Sequence, residues 1–313
     1  MMDSPIPVTV DNYARAETAR MFTALTRAAG GANRWKHNRT PTEISAQEVI
    51  RMNRDTLYSF LVLDVSQGAS VTIPDAGDRY ISVMVVTEDH YVPTIFHDAG
   101  TYELSAVDLG SEFVVVAARI LVDPQSEKDV AEVARLQDGL SATSTAGRDY
   151  HAPNFDPESL TETTQALTVL ARGMTDFTEA FGRNDEVERL SHLAGVAVGW
   201  GGLPASEARY INVSPRLPVG EFRLRVTDVP VDGFWSISVY NGAGFFEPND
   251  AEAYSLNNIT AHRDDDGGVT VHFGGDTDVP NTLPIVEGWN YLFRLYRPRP
   301  EAAAWTPPDL TEV

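Results

Sequence analysis

The sequence predicts a mainly β protein with a helical insert. Short runs of β-branched and aromatic residues, separated by turn clusters, fill 57–121 and 209–296, and helical spacing occupies the stretch between them. Size is the third observation: 313 residues with 42% hydrophobic content exceed the roughly 100–200 residues of one ordinary domain and supply more than one packed core. Two β-rich domains and a helical segment are therefore expected.

The first element is predicted as a helix: Asp11 can cap it, Met21, Phe22, Leu25 and Ala29 recur at helical spacing, and Gly30-Gly31 ends it. Ser45 and Glu48 stand at capping-box spacing ahead of Val49 and Met52, which predicts a second, shorter helix. From Thr56 the period changes. Runs at 57–65, 70–73, 79–86, 91–96, 101–104 and 113–121 read as strands, with turns such as Pro74-Asp75-Ala76-Gly77-Asp78 between them. Strands this short and regularly spaced imply a sandwich.

Helical signals return after Pro124. Ser126 can cap a helix carrying Val130, Val133 and Leu136; Asp156-Pro157 opens another with Leu160, Leu167 and Leu170; a third covers 185–198. The Ser-, Thr- and Gly-rich stretch 141–153 reads as a loop. Strands resume at 209–213, 221–226, 234–240, 269–273 and 290–296, and Asp264-Asp265-Asp266-Gly267-Gly268 predicts a hairpin turn. The expected organisation is an N-terminal helix over 1–34, a sandwich over 35–123, a helical segment over 124–203 and a second β domain over 204–313.

Acidic residues outnumber basic ones 45 to 24, giving a net charge of −21. Such a field repels phosphate backbones and anionic lipid, so neither nucleic acid nor a membrane is an expected partner. A small-molecule ligand and a homo-oligomer are the partners that remain. The absence of cysteine excludes disulfides, thiolate metal sites and cysteine nucleophiles. The first residues lack a basic stretch followed by an apolar one, and no window approaches the ~18 apolar residues of a membrane span. The chain as written is expected in the cytoplasm, or in the periplasm or outside the cell if a leader has been removed.

Strong mechanistic motifs are missing: no Gly-x-Ser-x-Gly elbow, no His-Glu-x-x-His and no phosphate-binding loop with its Lys. Gly242-Ala243-Gly244 follows a strand, but the third glycine of a dinucleotide loop is absent and Glu247-Pro248 blocks the helix it would need. The Asp264–Asp266 run lacks the spaced ligands of a calcium loop. His37, His97, His151, His192, His262 and His272 are scattered, so no metal ligand set and no cofactor can be assigned.

Two stretches are chemically dense. Met52-Asn53-Arg54-Asp55-Thr56-Leu57-Tyr58 gathers an amide, a guanidinium, a carboxylate and a phenol where a helix end is expected to meet a strand. Thr87-Glu88-Asp89-His90-Tyr91 places two carboxylates and an imidazole at the end of an apolar strand, with strand alternation putting Glu88 and His90 on one face and Asp89 on the other. Carboxylates beside a histidine are what proton-transfer chemistry requires. Aromatic residues crowd the C-terminal half. Most read as core, while Trp200 in Gly199-Trp200-Gly201-Gly202 and Phe245 and Phe246 on a turn are placed where aromatics can line an apolar or sugar-binding cleft.

At these residues a family resemblance becomes specific. Val49-Ile50-Arg51-Met52-Asn53-Arg54-Asp55-Thr56-Leu57-Tyr58-Ser59 resembles the signature of the bacterial domain of unknown function 1254, as does Pro74-Asp75-Ala76-Gly77-Asp78-Arg79-Tyr80 through Thr87 to Tyr91. The segments 229–240, 254–260, 281–284 and 288–298 resemble the domain of unknown function 1214, which follows it in tandem. The resemblance implies an immunoglobulin-like sandwich, a helical segment and a jelly-roll-like sandwich, and it implies no established reaction.

The expected function is a small-molecule enzyme, a hydrolase or lyase using side-chain acid–base chemistry at an interdomain pocket. Asp55, Glu88 and His90 are the proton-transfer candidates. Asn53 and Arg54 would orient an anionic or carbonyl group, and Tyr58, Tyr91, Trp200 and Trp235 would contact substrate. The alternative is a non-catalytic carbohydrate- or metabolite-binding protein, and a purely structural oligomer is a third reading.

Overall fold

The structure, a computed structural model, describes residues 4–47, 50–174 and 177–313. It is mainly β, with several antiparallel sheets and, among the described residues, five α-helices. The chain folds into two compact units. The first takes 1–39, 57–121 and 131–205; the second takes 40–56, 122–130 and 206–313.

In the first unit α1 (Tyr13–Ala29) buries one stripe, Tyr13, Ala16, Ala19 and Phe22, and stops at Gly30, whose φ of 75° only glycine adopts at low cost. Asp11 is not its cap. Asn12 precedes the helix, its Oδ1 accepting from Thr9 N at 2.8 Å, and Asp11 pairs with Arg189 instead. The strands that follow are β1 (Lys36–His37), β2 (Thr56–Asp64), β3 (Ala69–Ile73), β4 (Ile81–Thr87), β5 (Thr94–Phe96), β6 (Gly100–Leu104) and, after a short α2 (Ala106–Leu109), β7 (Phe113–Leu121).

A five-stranded sheet runs β1-β2-β7-β4-β5. β4 is buried along its whole length and β7 almost so, as their continuous apolar runs require of central strands. Then come α3 (Glu127–Gly139), β8 (Ser141–Ser144), α4 (Pro157–Ala171) and α5 (Arg189–Gly199). Ser126 Oγ accepts from Asp129 N at 3.2 Å and Asp156 Oδ2 from Ser159 N at 2.9 Å, both as their positions predict. Two expectations fail. β8 lies inside the expected loop and pairs with β3 in a β6-β3-β8 sheet, and α5 begins only at Arg189, capped by Glu188.

The second short helix also fails to form. Ile44–Ala46 is a single 3-10 turn, Met52 is irregular, and Glu48 and Val49 lie outside the described residues.

The second unit holds β9 (Ala208–Val213), β10 (Phe222–Val226), β11 (Trp235–Tyr240), β12 (Ser255–Asn257), β13 (Val269–Phe273), β14 (Thr282–Leu283), β15 (Asn290–Tyr296) and β16 (Thr311–Glu312). They form two sheets, β14-β13-β10-β16 and β12-β11-β15-β9. Alternate residues of both supply one core: Phe222, Leu224 and Val226 with Val271 and Phe273 from one, Trp235, Ile237 and Val239 with Tyr291, Phe293 and Leu295 from the other. The 264–268 turn forms, with Asp264 N donating to Gly268 O at 2.8 Å, but β12 and β13 on either side belong to different sheets, so it is not a hairpin.

The opposite face of β11 and β15 carries Ser236, Ser238, Tyr240, Leu292, Arg294 and Tyr296, nearly all of it buried. The 40–56 segment covers it: Ile44 and Met52 pack with Tyr240, Phe246 and Leu292, and Gln47 Nε2 donates to Phe246 O at 3.0 Å. No helix among the described residues is long and apolar enough to cross a membrane.

Candidate functional site

Within the second unit a cleft of about 360 Å³ opens beside this covered face, walled by Arg54, Ser255, Asn257, Thr260, His262 and Asn281 among others. Its polar walls are fixed by hydrogen bonds. Asn257 Oδ1 accepts from Ile259 N at 3.0 Å and Thr260 N at 3.1 Å, the self-bonding turn for which Asn is suited. Asn281, at a φ of 62°, donates from Nδ2 to His262 O at 2.7 Å and Thr270 O at 2.9 Å and accepts from His262 N at 2.7 Å.

Behind Ser255 and Asn257 lies Asp55, fully buried and not part of the cleft wall. Asn257 Nδ2 donates to its Oδ1 at 3.3 Å, while Oδ2 and Ser236 Oγ both lack a well-formed hydrogen bond. Burial pushes this carboxyl above the usual range, opposed by the Arg294 guanidinium and by Ser236, Asn257 and Ser255. Arg294 is buried as well. Its Nη1 donates to Ser238 Oγ at 2.7 Å, and its Nη2 donates to Tyr240 OH at 2.6 Å and Arg51 O at 2.8 Å. Tyr240 OH in turn donates to Met52 O at 2.9 Å. The network clasps the 51–55 segment to β11 and β15.

Asn53 belongs to the same clasp. Its Nδ2 donates to Tyr296 OH at 3.1 Å and Thr56 Oγ1 at 3.2 Å, and its Oδ1 accepts from Asp55 N at 2.7 Å. Arg54 points elsewhere: it lines the cleft with its guanidinium over the Tyr254 ring, 5.4 Å from the centroid, and it donates to Thr42 O. Burial holds its pKa below the usual arginine value, and Tyr254, Glu252 and Asp55 counter this. Trp235 is core between the two sheets and does not line this cleft.

The other candidates lie in the first unit, where Glu88 to His90 form a turn and strand alternation does not apply. Glu88 faces an open cleft, its Oε2 accepting from Ser111 Oγ at 3.1 Å and its Oε1 3.5 Å from Arg15 Nη2. His90 points the other way. It adopts a φ of 66°, is fully buried, and sits against Phe181, His192 and Trp200 at ring distances of 5.8, 5.5 and 5.3 Å. Gly201 N donates to its Nε2 at 2.9 Å, so the neutral ring carries its proton on Nδ1, which has no partner among the described residues. Burial, with His192 adding, lowers its pKa to about 3. Tyr91 stacks on His192 at 5.1 Å, Trp200 Nε1 donates to Thr18 Oγ1 at 3.1 Å, and Arg119 lies over Tyr58 at 5.4 Å.

Residues 32–92 match the family described as Protein of unknown function (DUF1254), and residues 218–300 match Protein of unknown function (DUF1214). The two matches stand in the tandem order DUF1254 followed by DUF1214. Its fold is that of a protein from Vibrio parahaemolyticus, 19% identical, with a TM-score of 0.75 over 97% of each chain. A protein from Burkholderia cenocepacia is 15% identical, with a TM-score of 0.53 over 97% of this chain and 87% of its own. No curated protein is significantly similar.

The DUF1254 match contains the 52–55 signature and the Glu88–Tyr91 turn, and the DUF1214 match contributes Ser236, Tyr240, Asn257 and Arg294. Sequence reasoning overlooked these four. The available signal was Arg294 in the middle of the otherwise apolar run Asn290–Tyr296, facing serines at alternate positions of β11. Among the described residues no three His, Asp or Glu side chains gather as a metal-ligand set.

Proposed function

We propose that the protein binds a small polar metabolite in the cleft of the second unit, without catalysing its conversion. The observation that carries this reading is the pre-set polar wall: the Asn257 and Asn281 amides are held by backbone hydrogen bonds, so a ligand meets oriented groups rather than mobile ones. The volume, about 360 Å³, suits a monosaccharide-sized molecule. On the same reading the first unit is an immunoglobulin-like sandwich and the second a jelly-roll-like one, architectures that often serve as binding modules.

A second reading, acid–base catalysis by a hydrolase or lyase, draws support from Asp55, whose raised pKa and unpaired Oδ2 suit a proton carrier. It requires Ser255 or Asn257 to move aside. Thermal-shift screening of a metabolite library, with mass spectrometry of each hit for turnover, separates the two. Val279 borders the cleft and is 40% exposed, so Val279→Trp fills the space without touching the core. Binding that is lost in Val279→Trp, with unchanged melting temperature of the free protein and no product formed, is the expected result. Product formation favours the second reading, and hits that bind Val279→Trp as well as the parent remove the cleft from both.

A further inference from the structure

We infer that the cleft of the second unit selects a carboxylate-bearing ligand and that Arg54 is the group that reads it. The inference rests on the binding reading above and adds the ligand's chemical class. Several guanidiniums of this acid-rich chain have a carboxylate partner: Arg15 has Glu88 and Asp89, Arg20 has Glu17, Arg148 has Asp64 and Glu112, and Arg225 has Asp264 and Asp266. Arg54 has none within ion-pair distance among the described residues, although it is half-buried on a cleft wall and the chain carries 45 acidic groups. One Nη1 contact to Thr42 O occupies only part of a five-donor fork. The Tyr254 ring beneath it restricts the guanidinium plane, which lowers the entropy lost when a planar anion docks.

A half-buried cation with uncommitted donors is stabilised by an incoming anion, and a carboxylate matches the guanidinium fork in shape. Phosphate fits less well. Asp123, Glu252 and Asp278 also border the cleft, Glu252 and Asp278 on its exposed parts, and they would repel a dianion more strongly than a single carboxylate. Thr260 Oγ1 and Asn281 Oδ1 each keep a spare acceptor lone pair after their bonds within the chain, which complements hydroxyl donors on the remainder of the ligand. The structure therefore favours a hydroxy acid or sugar acid over its neutral counterpart.

Matched pairs isolate the carboxylate: gluconate against sorbitol, and lactate against propane-1,2-diol, with inorganic phosphate as a third probe, each titrated calorimetrically at low salt. The acid of at least one pair should bind at least about tenfold tighter than its neutral partner, because a hydrogen bond to a charged group is worth roughly that factor or more. Arg54→Gln should erase the difference, Arg54→Lys should retain part of it, and Val279→Trp should abolish binding altogether. Equal binding of acid and neutral partner, tighter binding of phosphate, or an unchanged preference in Arg54→Gln overturns the inference while leaving the cleft reading intact. So does the absence of binding by both acids. Acid binding that survives Val279→Trp overturns both.

Discussion

At the scale of single residues the decisive pair is Asp55 and Arg294, two buried ionisable groups of opposite sign, the arginine making four hydrogen bonds while Asp55 Oδ2 lacks a well-formed one. Removing one partner of such a pair strands the other charge. Arg294→Met should therefore destabilise the protein by about 3–5 kcal/mol, and adding Asp55→Asn should recover part of this, with a coupling of about 1–3 kcal/mol in a urea-denaturation cycle. Strict additivity would show that the two do not sense each other. Asp55 has a raised folded pKa, so its contribution is complete below the unfolded value of 3.8 and is lost as pH rises through the folded one. Asp55→Asn alone should accordingly cost least at high pH. His90 has the opposite sign. Its folded pKa of about 3 lies below the ordinary 6.5, so its contribution is present above 6.5 and lost as pH falls through 3. His90→Phe keeps a ring against Phe181 and Trp200 but leaves Gly201 N–H without its acceptor. We expect about 1–3 kcal/mol lost at neutral pH and a flatter stability curve between pH 6.5 and 3. A variant curve parallel to the parent's across that window would contradict the assignment.

At the scale of elements, what the sequence revealed depended on whether packing is written in hydrophobic spacing. β10 reads Phe222-Arg223-Leu224-Arg225-Val226, with alternate residues buried, and β7 reads as an unbroken apolar run, so both were legible. β8 was not, because Ser141 to Ser144 carry no apolar pattern and are held partly by hydroxyl pairs such as Ser70 with Thr143 at 2.7 Å. The capping-box reading at Ser45 misled because such a spacing says nothing of the tertiary clasp that holds Met52 in an irregular conformation. The dense stretches were found, but not the roles of their residues: Asn53 and Asp55 are committed to the clasp, and His90 is turned inward by a left-handed turn that strand alternation cannot foresee. The loop after α5 offers a test of such local geometry. A Cβ on Gly202 would stand 2.3 Å from the Phe181 ring, whereas one on Gly201 would meet nothing within 4 Å and suffer only its φ of 76°. Gly202→Ala should cost about 1–3 kcal/mol from overpacking and shift the His90 ring resonances, and Gly201→Ala should cost nearer 1 kcal/mol. Equal melting temperatures for the two variants would refute the close packing of Phe181.

At the scale of the whole molecule, the family matches and the compact units do not share boundaries. Residues 40–56 fall within the DUF1254 match yet fold with 206–313, where the DUF1214 match lies. The consequence concerns what can fold alone. A fragment of 206–313 keeps both sheets and their shared core, but it loses Ile44 and Met52 from Tyr240, Phe246 and Leu292, and it loses the carbonyls of Arg51 and Met52 that accept from Arg294. An arginine so deprived must be hydrated or leave its site, since an uncompensated buried cation costs several kcal/mol, a large share of a small domain's stability. The fragment should therefore unfold at lower urea and with a broader transition than the intact chain. A synthetic 40–56 peptide added in trans should raise its midpoint in proportion to the logarithm of peptide concentration above the dissociation constant, and the same peptide should have far less effect on the fragment carrying Arg294→Met. If the bare fragment already melts as sharply as the full chain and ignores the peptide, then the clasp around Arg294 contributes nothing to folding, and the 40–56 segment merely rests on a face that is stable without it.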